Sequence, residues 1–153
     1  MNLSFDVIRR LSGKSIATAE SLTGGGIGAA LTAVPGSSAV YKGGIISYTN
    51  EIKMIILGVS AANLEEYGAV SAPVAEEMVA GVRKLLNTDI AVSVTGLAGP
   101  DGDEFGHPVG TVYIGYQDCR RTVVAHHCFD GDRETVRTQT IQAALKLILQ
   151  YNS

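Results

Sequence analysis

The chain has 153 residues, 46% of them hydrophobic, with no Trp and a formal net charge of −3, which is the length of one domain (residues 1–153) with enough apolar material for a self-supporting core. The slightly acidic balance excludes a broad basic face for nucleic acid, and every apolar run is too short to span a bilayer, so no membrane partner is expected. Cys119 and Cys128, with three histidines and no CxxC, fit neither a disulfide framework nor a metal site, so reduced thiols and a cytoplasmic location are expected.

Leu3, Val7, Ile8 and Leu11 recur at helical spacing and predict an opening amphipathic helix ended by Gly13. Asp6, Arg9 and Arg10 deprive this stretch of the apolar core of a signal peptide. Lys14 to Ala19 reads as a short buried strand, and Gly26 to Ala33 as a helix of small residues broken by Pro35-Gly36-Ser37-Ser38. The β-rich stretch Gly43 to Tyr48 is the second strand. Asn50 is the expected cap of a helix through Leu57, ended by Gly58. A short helix over Ser60 to Tyr67 precedes a longer one that opens on Ser71-Ala72-Pro73 and runs to about Leu86. Asp89 to Thr95 is the clearest core strand. Gly96 to Pro108 is a long loop marked by glycine and proline, of the kind that often carries function. Val109 to Tyr116 and Thr122 to Phe129 form an expected hairpin, and Asp132 caps a final helix. Helices alternate with the first three strands while the last two strands are adjacent. That order predicts a three-layer α/β/α sandwich around a mixed, mostly parallel sheet of about five strands.

Three clusters could carry chemistry. The first is Glu20-Ser21-Leu22-Thr23-Gly24-Gly25-Gly26, where a strand turns into a helix; it exposes a hydroxyl and several N–H groups at a helix start, a place suited to an anion or a developing oxyanion. Gly24 to Ala29 also fits G-x-G-x-x-A, a weak dinucleotide fingerprint in so glycine-rich a stretch. No Ser–His–Asp triad is supported, because His107, His126 and His127 have no evident carboxylate orienter. Lysine is the other base that can activate a serine. Lys53 follows the second strand by a few residues, and parallel strand ends share one edge of a sheet, so Ser21, Tyr48 and Lys53 could meet there. On position alone Lys53 reads first as a solvated helix lysine. The second cluster, Thr95-Gly96-Leu97-Ala98-Gly99-Pro100, begins at the same edge. The third sets Arg133 and Arg137 one turn apart at a helix start, where an anionic partner offsets their opposition to the helix dipole.

The motifs Ala19-Glu20-Ser21-Leu22-Thr23-Gly24-Gly25, Gly36-Ser37-Ser38, Tyr48-Thr49-Asn50-Glu51-Ile52-Lys53, Gly68-Ala69-Val70-Ser71, Gly96-Leu97-Ala98-Gly99-Pro100-Asp101-Gly102, Pro108-Val109-Gly110 and Gly131-Asp132-Arg133 occur in that order. Together they resemble the CinA C-terminal domain family, the nicotinamide-nucleotide amidases also called PncC, over essentially the whole chain. The resemblance implies an α/β/α sandwich that deamidates nicotinamide mononucleotide to nicotinate mononucleotide and ammonia, within pyridine-nucleotide salvage. It implies Ser21 as nucleophile, Lys53 as base and Tyr48 as assistant, with no metal or organic cofactor. Longer family members carry a further N-terminal pyrophosphatase-type domain, and none of that domain's function is expected of these residues. Candidates for contact with the small nucleotide substrate are Glu20, Thr23, Gly24, Gly25, Thr95, Gly96, Gly99, Arg133 and Arg137; oxyanion donors are expected among the amides of 23–25. Two alternatives carry different expectations. A pyridine-nucleotide-binding regulatory module would use the same loops without turnover. A dinucleotide-dependent oxidoreductase is disfavoured because Tyr48 and Lys53 lack the i, i+4 spacing of one helix face. A homo-oligomer is an allowed state for an enzyme of this size.

Overall fold

The structure, a computed structural model, describes residues 2–153. Helix α1 (Leu3–Arg10) starts at Asn2, whose side chain accepts the Phe5 N–H. Strand β1 (Ile16–Glu20), helix α2 (Gly26–Thr32), strand β2 (Tyr41–Ile46) and helices α3 (Asn50–Leu57), α4 (Ala61–Tyr67) and α5 (Ala72–Leu86) follow. Strands β3 (Ile90–Gly96), β4 (Thr111–Gln117) and β5 (Thr122–Cys128) and helix α6 (Arg133–Gln150) complete the chain.

The five strands lie in the order β2-β1-β3-β4-β5. β1 pairs in parallel with both β2 and β3, and β4 pairs antiparallel with β3 and β5. The sheet is therefore mixed, with β4 alone running against the other four. Burial on both faces explains the continuous apolar character of β1 and β3. Ile16 of β1, Ile90, Val92 and Val94 of β3, and Val112 and Ile114 of β4 pack against α1, α2 and α6 through Val7, Leu11, Ile27, Leu31, Val136 and Ile148. Ala17, Ala19 and Ala91 face the other layer, formed by Leu57, Leu64, Val74, Met78 and Val82 of α3, α4 and α5.

Boundaries shift slightly from the sequence reading. β2 begins at Tyr41 and ends at Ile46, because a 3-10 turn over Ser37–Ala39 feeds the chain into the sheet early. Ser47 keeps one further bond, from its N–H to the Glu20 carbonyl at 2.7 Å. The α3 cap is Thr49 rather than Asn50: Thr49 is extended and its side chain accepts the Ile52 N–H. What positions the site is the topology. β1, β2 and β3 run the same way, so their carboxyl ends open at one edge, at the point where the connections leave to opposite sides of β1.

Candidate active site

Ser21 follows directly on β1. Its N–H bonds the Val94 carbonyl at 3.1 Å, which fixes the backbone against β3 before the chain turns away. The side chain before it, Glu20, faces α2 and is 2% exposed. Its carboxylate accepts the Thr23 hydroxyl at 2.6 Å and the N–H groups of Ile27 at 2.8 Å and Gly28 at 3.0 Å. Gly25, the N-cap of α2, has no side chain to offer, so Glu20 reaches from the strand to do the capping. An external phosphate has no place left at this helix start, which removes the physical basis of the dinucleotide fingerprint. Gly24 (φ +59°) and Gly25 (φ +99°) occupy the left-handed region needed to turn the chain so sharply. Glu20, Thr23, Gly24 and Gly25 thus build the turn, and their side chains do not line the neighbouring cavity.

Lys53 lies in α3 just after β2 and reaches back to Ser21. It is 2% exposed, so it is no solvated helix lysine. Its Nζ lies 3.1 Å from Ser21 Oγ, 3.0 Å from the Ser47 carbonyl oxygen and 3.4 Å from that of Tyr48. The ion pairs among the described residues are Arg9–Asp6 and His107–Asp103, so no carboxylate compensates this ammonium. Burial accordingly pushes its pKa down from 10.5 to about 8. A neutral amine has two N–H groups and one lone pair. With the two carbonyls taking the N–H groups, the lone pair faces the serine hydroxyl.

Tyr48 stands elsewhere at the rim. The residue is 57% exposed, and its phenol oxygen accepts a bond from Arg133 at 3.0 Å. The structure therefore brings Ser21 and Lys53 together, while the phenol expected beside them bonds neither; only the Tyr48 carbonyl reaches Lys53. Strand β2 ends at Ile46, and the turn into α3 swings this side chain outward.

Ser21, Tyr48, Lys53, Thr95, Gly96, Gly99 and Arg133 all border one cavity of about 600 Å³ outside the carboxyl ends of β1, β2 and β3. Thr95 Oγ1 donates to the Ala69 carbonyl at 2.8 Å and ties β3 to the 68–71 segment. Gly96 allows close approach of β4: a Cβ there would lie 2.7 Å from Val112 Cγ2 and 2.8 Å from the Thr111 oxygen. Arg133 donates to the Gly99 carbonyl at 2.7 Å and to Tyr48, both uncharged acceptors, so its charge also goes unpaired. Arg137 differs. Its guanidinium donates to the carbonyls of Leu22 (2.9 Å) and Thr23 (3.1 Å), and it does not line the cavity.

Several residues at the site escaped the sequence reading. Ser47 contributes through its carbonyl, which no side-chain pattern reveals. Asn50, Asp103, Glu104 and Phe105 also border the cavity. The Asp103 carboxylate accepts the N–H groups of Phe105 and His107 and pairs with His107 Nδ1 at 2.6 Å, which shapes the loop; these bonds hold its carboxyl below the usual range against the opposing effect of burial. The i, i+4 spacing of Asp103 and His107 was the available signal.

Comparison with known proteins gives the lineage of this arrangement. A family model described as the CinA C-terminal domain matches residues 3–152. A CinA-like protein of Sulfurihydrogenibium sp. is 49% identical over 90% of this chain, and the match covers 34% of that relative; the chain spans about a third of the length of the CinA-like relatives it matches. A Pseudomonas putida protein named nicotinamide-nucleotide amidohydrolase PncC is 46% identical over 94% of this chain and 89% of its own length. Among solved structures, the competence damage-inducible protein A of Klebsiella pneumoniae superposes with a TM-score of 0.95 at 38% identity, covering 97% of this chain and 93% of that one. A CinA superfamily protein of Escherichia coli superposes with a TM-score of 0.96 at 38% identity, covering 98% and 88%. With the family match running over nearly every residue and the same fold recurring in these structures, the chain belongs to the CinA C-terminal domain family.

Proposed function

We propose that this protein is an amidohydrolase that deamidates nicotinamide mononucleotide to nicotinate mononucleotide and ammonia, with Ser21 as nucleophile and Lys53 as base. The observation that carries the reading is the buried Lys53 amine, 3.1 Å from the Ser21 hydroxyl and without a carboxylate partner. Kinship with the Pseudomonas putida amidohydrolase supports the substrate class.

In the proposed reaction, neutral Lys53 takes the Ser21 proton as Oγ attacks the carboxamide carbon. The carbonyl oxygen becomes an oxyanion, for which backbone amides are the available donors. The Gly24 N–H bonds the Ser21 carbonyl and the Gly26 N–H that of Thr23, which leaves Leu22 and Thr23 as the suppliers nearest the nucleophile. The Lys53 ammonium returns its proton to the departing nitrogen, so ammonia leaves and an acyl-serine remains. Water, deprotonated by the same amine, then releases the acid. The distances favour direct transfer between Ser21 and Lys53 over a relay through the Tyr48 phenol. Arg133, cationic and unpaired at the rim, is the candidate for the substrate phosphate.

The test is ammonia release from nicotinamide mononucleotide, without added metal, by the wild type and Ser21→Ala. Release by the wild type alone is expected. Equal release by both removes the nucleophile assignment, and binding without release by either favours the regulatory module.

A further inference from the structure

We infer that Arg137 is a positioning residue that aims the Thr23 N–H at the reaction centre, rather than a ligand for the substrate. This rests on the reading of Ser21 as nucleophile. Arg137 projects from the second turn of α6 and grips two consecutive carbonyls, those of Leu22 and Thr23. Both belong to the turn that directly follows the serine. The peptide unit is planar and trans, so the Leu22 carbonyl and the Thr23 N–H point in opposite directions. Holding the carbonyl toward α6 forces the amide the other way.

The layers of the fold give that direction a meaning. α6 packs on the sheet face that carries Ile16 and Val92. Side chains alternate along β1, so Ser21 continues the opposite face of Ala17 and Ala19, where Lys53 meets it. An amide turned away from α6 is turned toward the side on which the Ser21 hydroxyl reacts. The Thr23 N–H has no protein acceptor among the described residues, whereas the N–H groups of Gly24 and Gly26 close the turn internally. Glu20 secures the opposite end of the turn through the Thr23 hydroxyl and the amides of Ile27 and Gly28. Without Arg137 the Leu22–Thr23 peptide has no tie on its carbonyl side and is free to rotate.

Two measurements test this. The first is steady-state ammonia release by Arg137→Met, which keeps length without donors, and by Arg137→Lys, which keeps one charged donor. A kcat reduced by roughly ten- to a hundredfold in the Met variant at nearly constant KM is expected, with partial recovery in the Lys variant. The second needs no nucleotide: the rate at which a fluorophosphonate labels Ser21, read by intact mass. In that reaction serine Oγ bonds phosphorus, the P–F bond breaks, fluoride leaves and the serine proton goes to Lys53. Labelling slowed by a similar factor, with an unchanged pH dependence, is expected. If the Met variant does not fold, the Lys variant decides, with a severalfold loss of kcat expected. Labelling and kcat at wild-type levels, or a rise in KM without a fall in kcat, overturns the inference alone. A wild type that neither labels nor releases ammonia overturns the amidase reading and this inference with it.

Discussion

Glu20 and Lys53 are buried to the same degree and flank the same serine from opposite faces of the sheet, yet the protein treats their charges in contrary ways. Glu20 receives three donors, two of them amides at the positive end of α2, so both its oxygens have hydrogen-bond partners within the fold. Lys53 receives a hydroxyl and two carbonyls but no carboxylate, and burial makes its neutral form accessible near pH 8. Burial alone does not make a side chain reactive. What separates the two is compensation: Glu20 has donors for its carboxylate, whereas Lys53 has no carboxylate partner.

On the proposed reading, substitution at the Ser21–Lys53 pair should give the largest effects. Ser21→Ala and Lys53→Met are expected to cut kcat for ammonia release by a thousandfold or more, on the order seen when a nucleophile or its base is removed, while circular dichroism stays native. Loss in one variant only would break the pairing of the two residues. The same comparison predicts opposite effects on stability. Glu20→Ala orphans two buried amides and a hydroxyl and should cost about 3 kcal/mol in urea unfolding. Lys53→Met should instead stabilise the protein at pH 7. The native pKa of about 8 lies below the 10.5 of the unfolded chain, so below pH 8 the fold bears the full cost of the buried ammonium. That cost shrinks as pH rises from about 8 to 10.5, where the unfolded chain holds more protons than the native one. At about 1.4 kcal/mol per pH unit the ceiling is about 3 kcal/mol, and a gain near 2 kcal/mol at pH 7 that fades by pH 10.5 is expected. Equal destabilisation by both variants would erase the contrast.

The pH profile sharpens it further. If neutral Lys53 is the base, kcat/KM rises about tenfold per unit up to about pH 8 and then levels; a flat profile from pH 6 to 9 would remove Lys53 from the proton transfer. Tyr48→Phe should have the smallest effect, a change in kcat of less than about tenfold, because its phenol bonds Arg133 and neither Ser21 nor Lys53. A loss as deep as that of Lys53→Met would restore the relay through the phenol.

The strands, their mixed pairing and the sheet edge where Ser21 and Lys53 meet were legible because hydrophobic pattern and glycine punctuation are local properties. The turn chemistry was legible in part. Ser60, Ser71 and Asp132 cap their helices as their positions suggest, while Thr49 displaced Asn50 because it is the extended residue. The roles of Glu20 and Arg137 could not be read off the chain. A glutamate before a serine and an arginine at a helix start are natural ligands on paper, and only the packing of α2 and α6 shows that backbone groups already occupy them.

By itself the sequence determined the element order, the parallel run of the first three strands and hence the rim where residues 21, 53 and 95 converge, since these follow from periodicity and from the short links that join each element to the next. Tertiary structure decided which charges are satisfied. That depends on partners such as Val94, Ser47 and the start of α2, brought close by packing at sequence separations over which no local pattern can act.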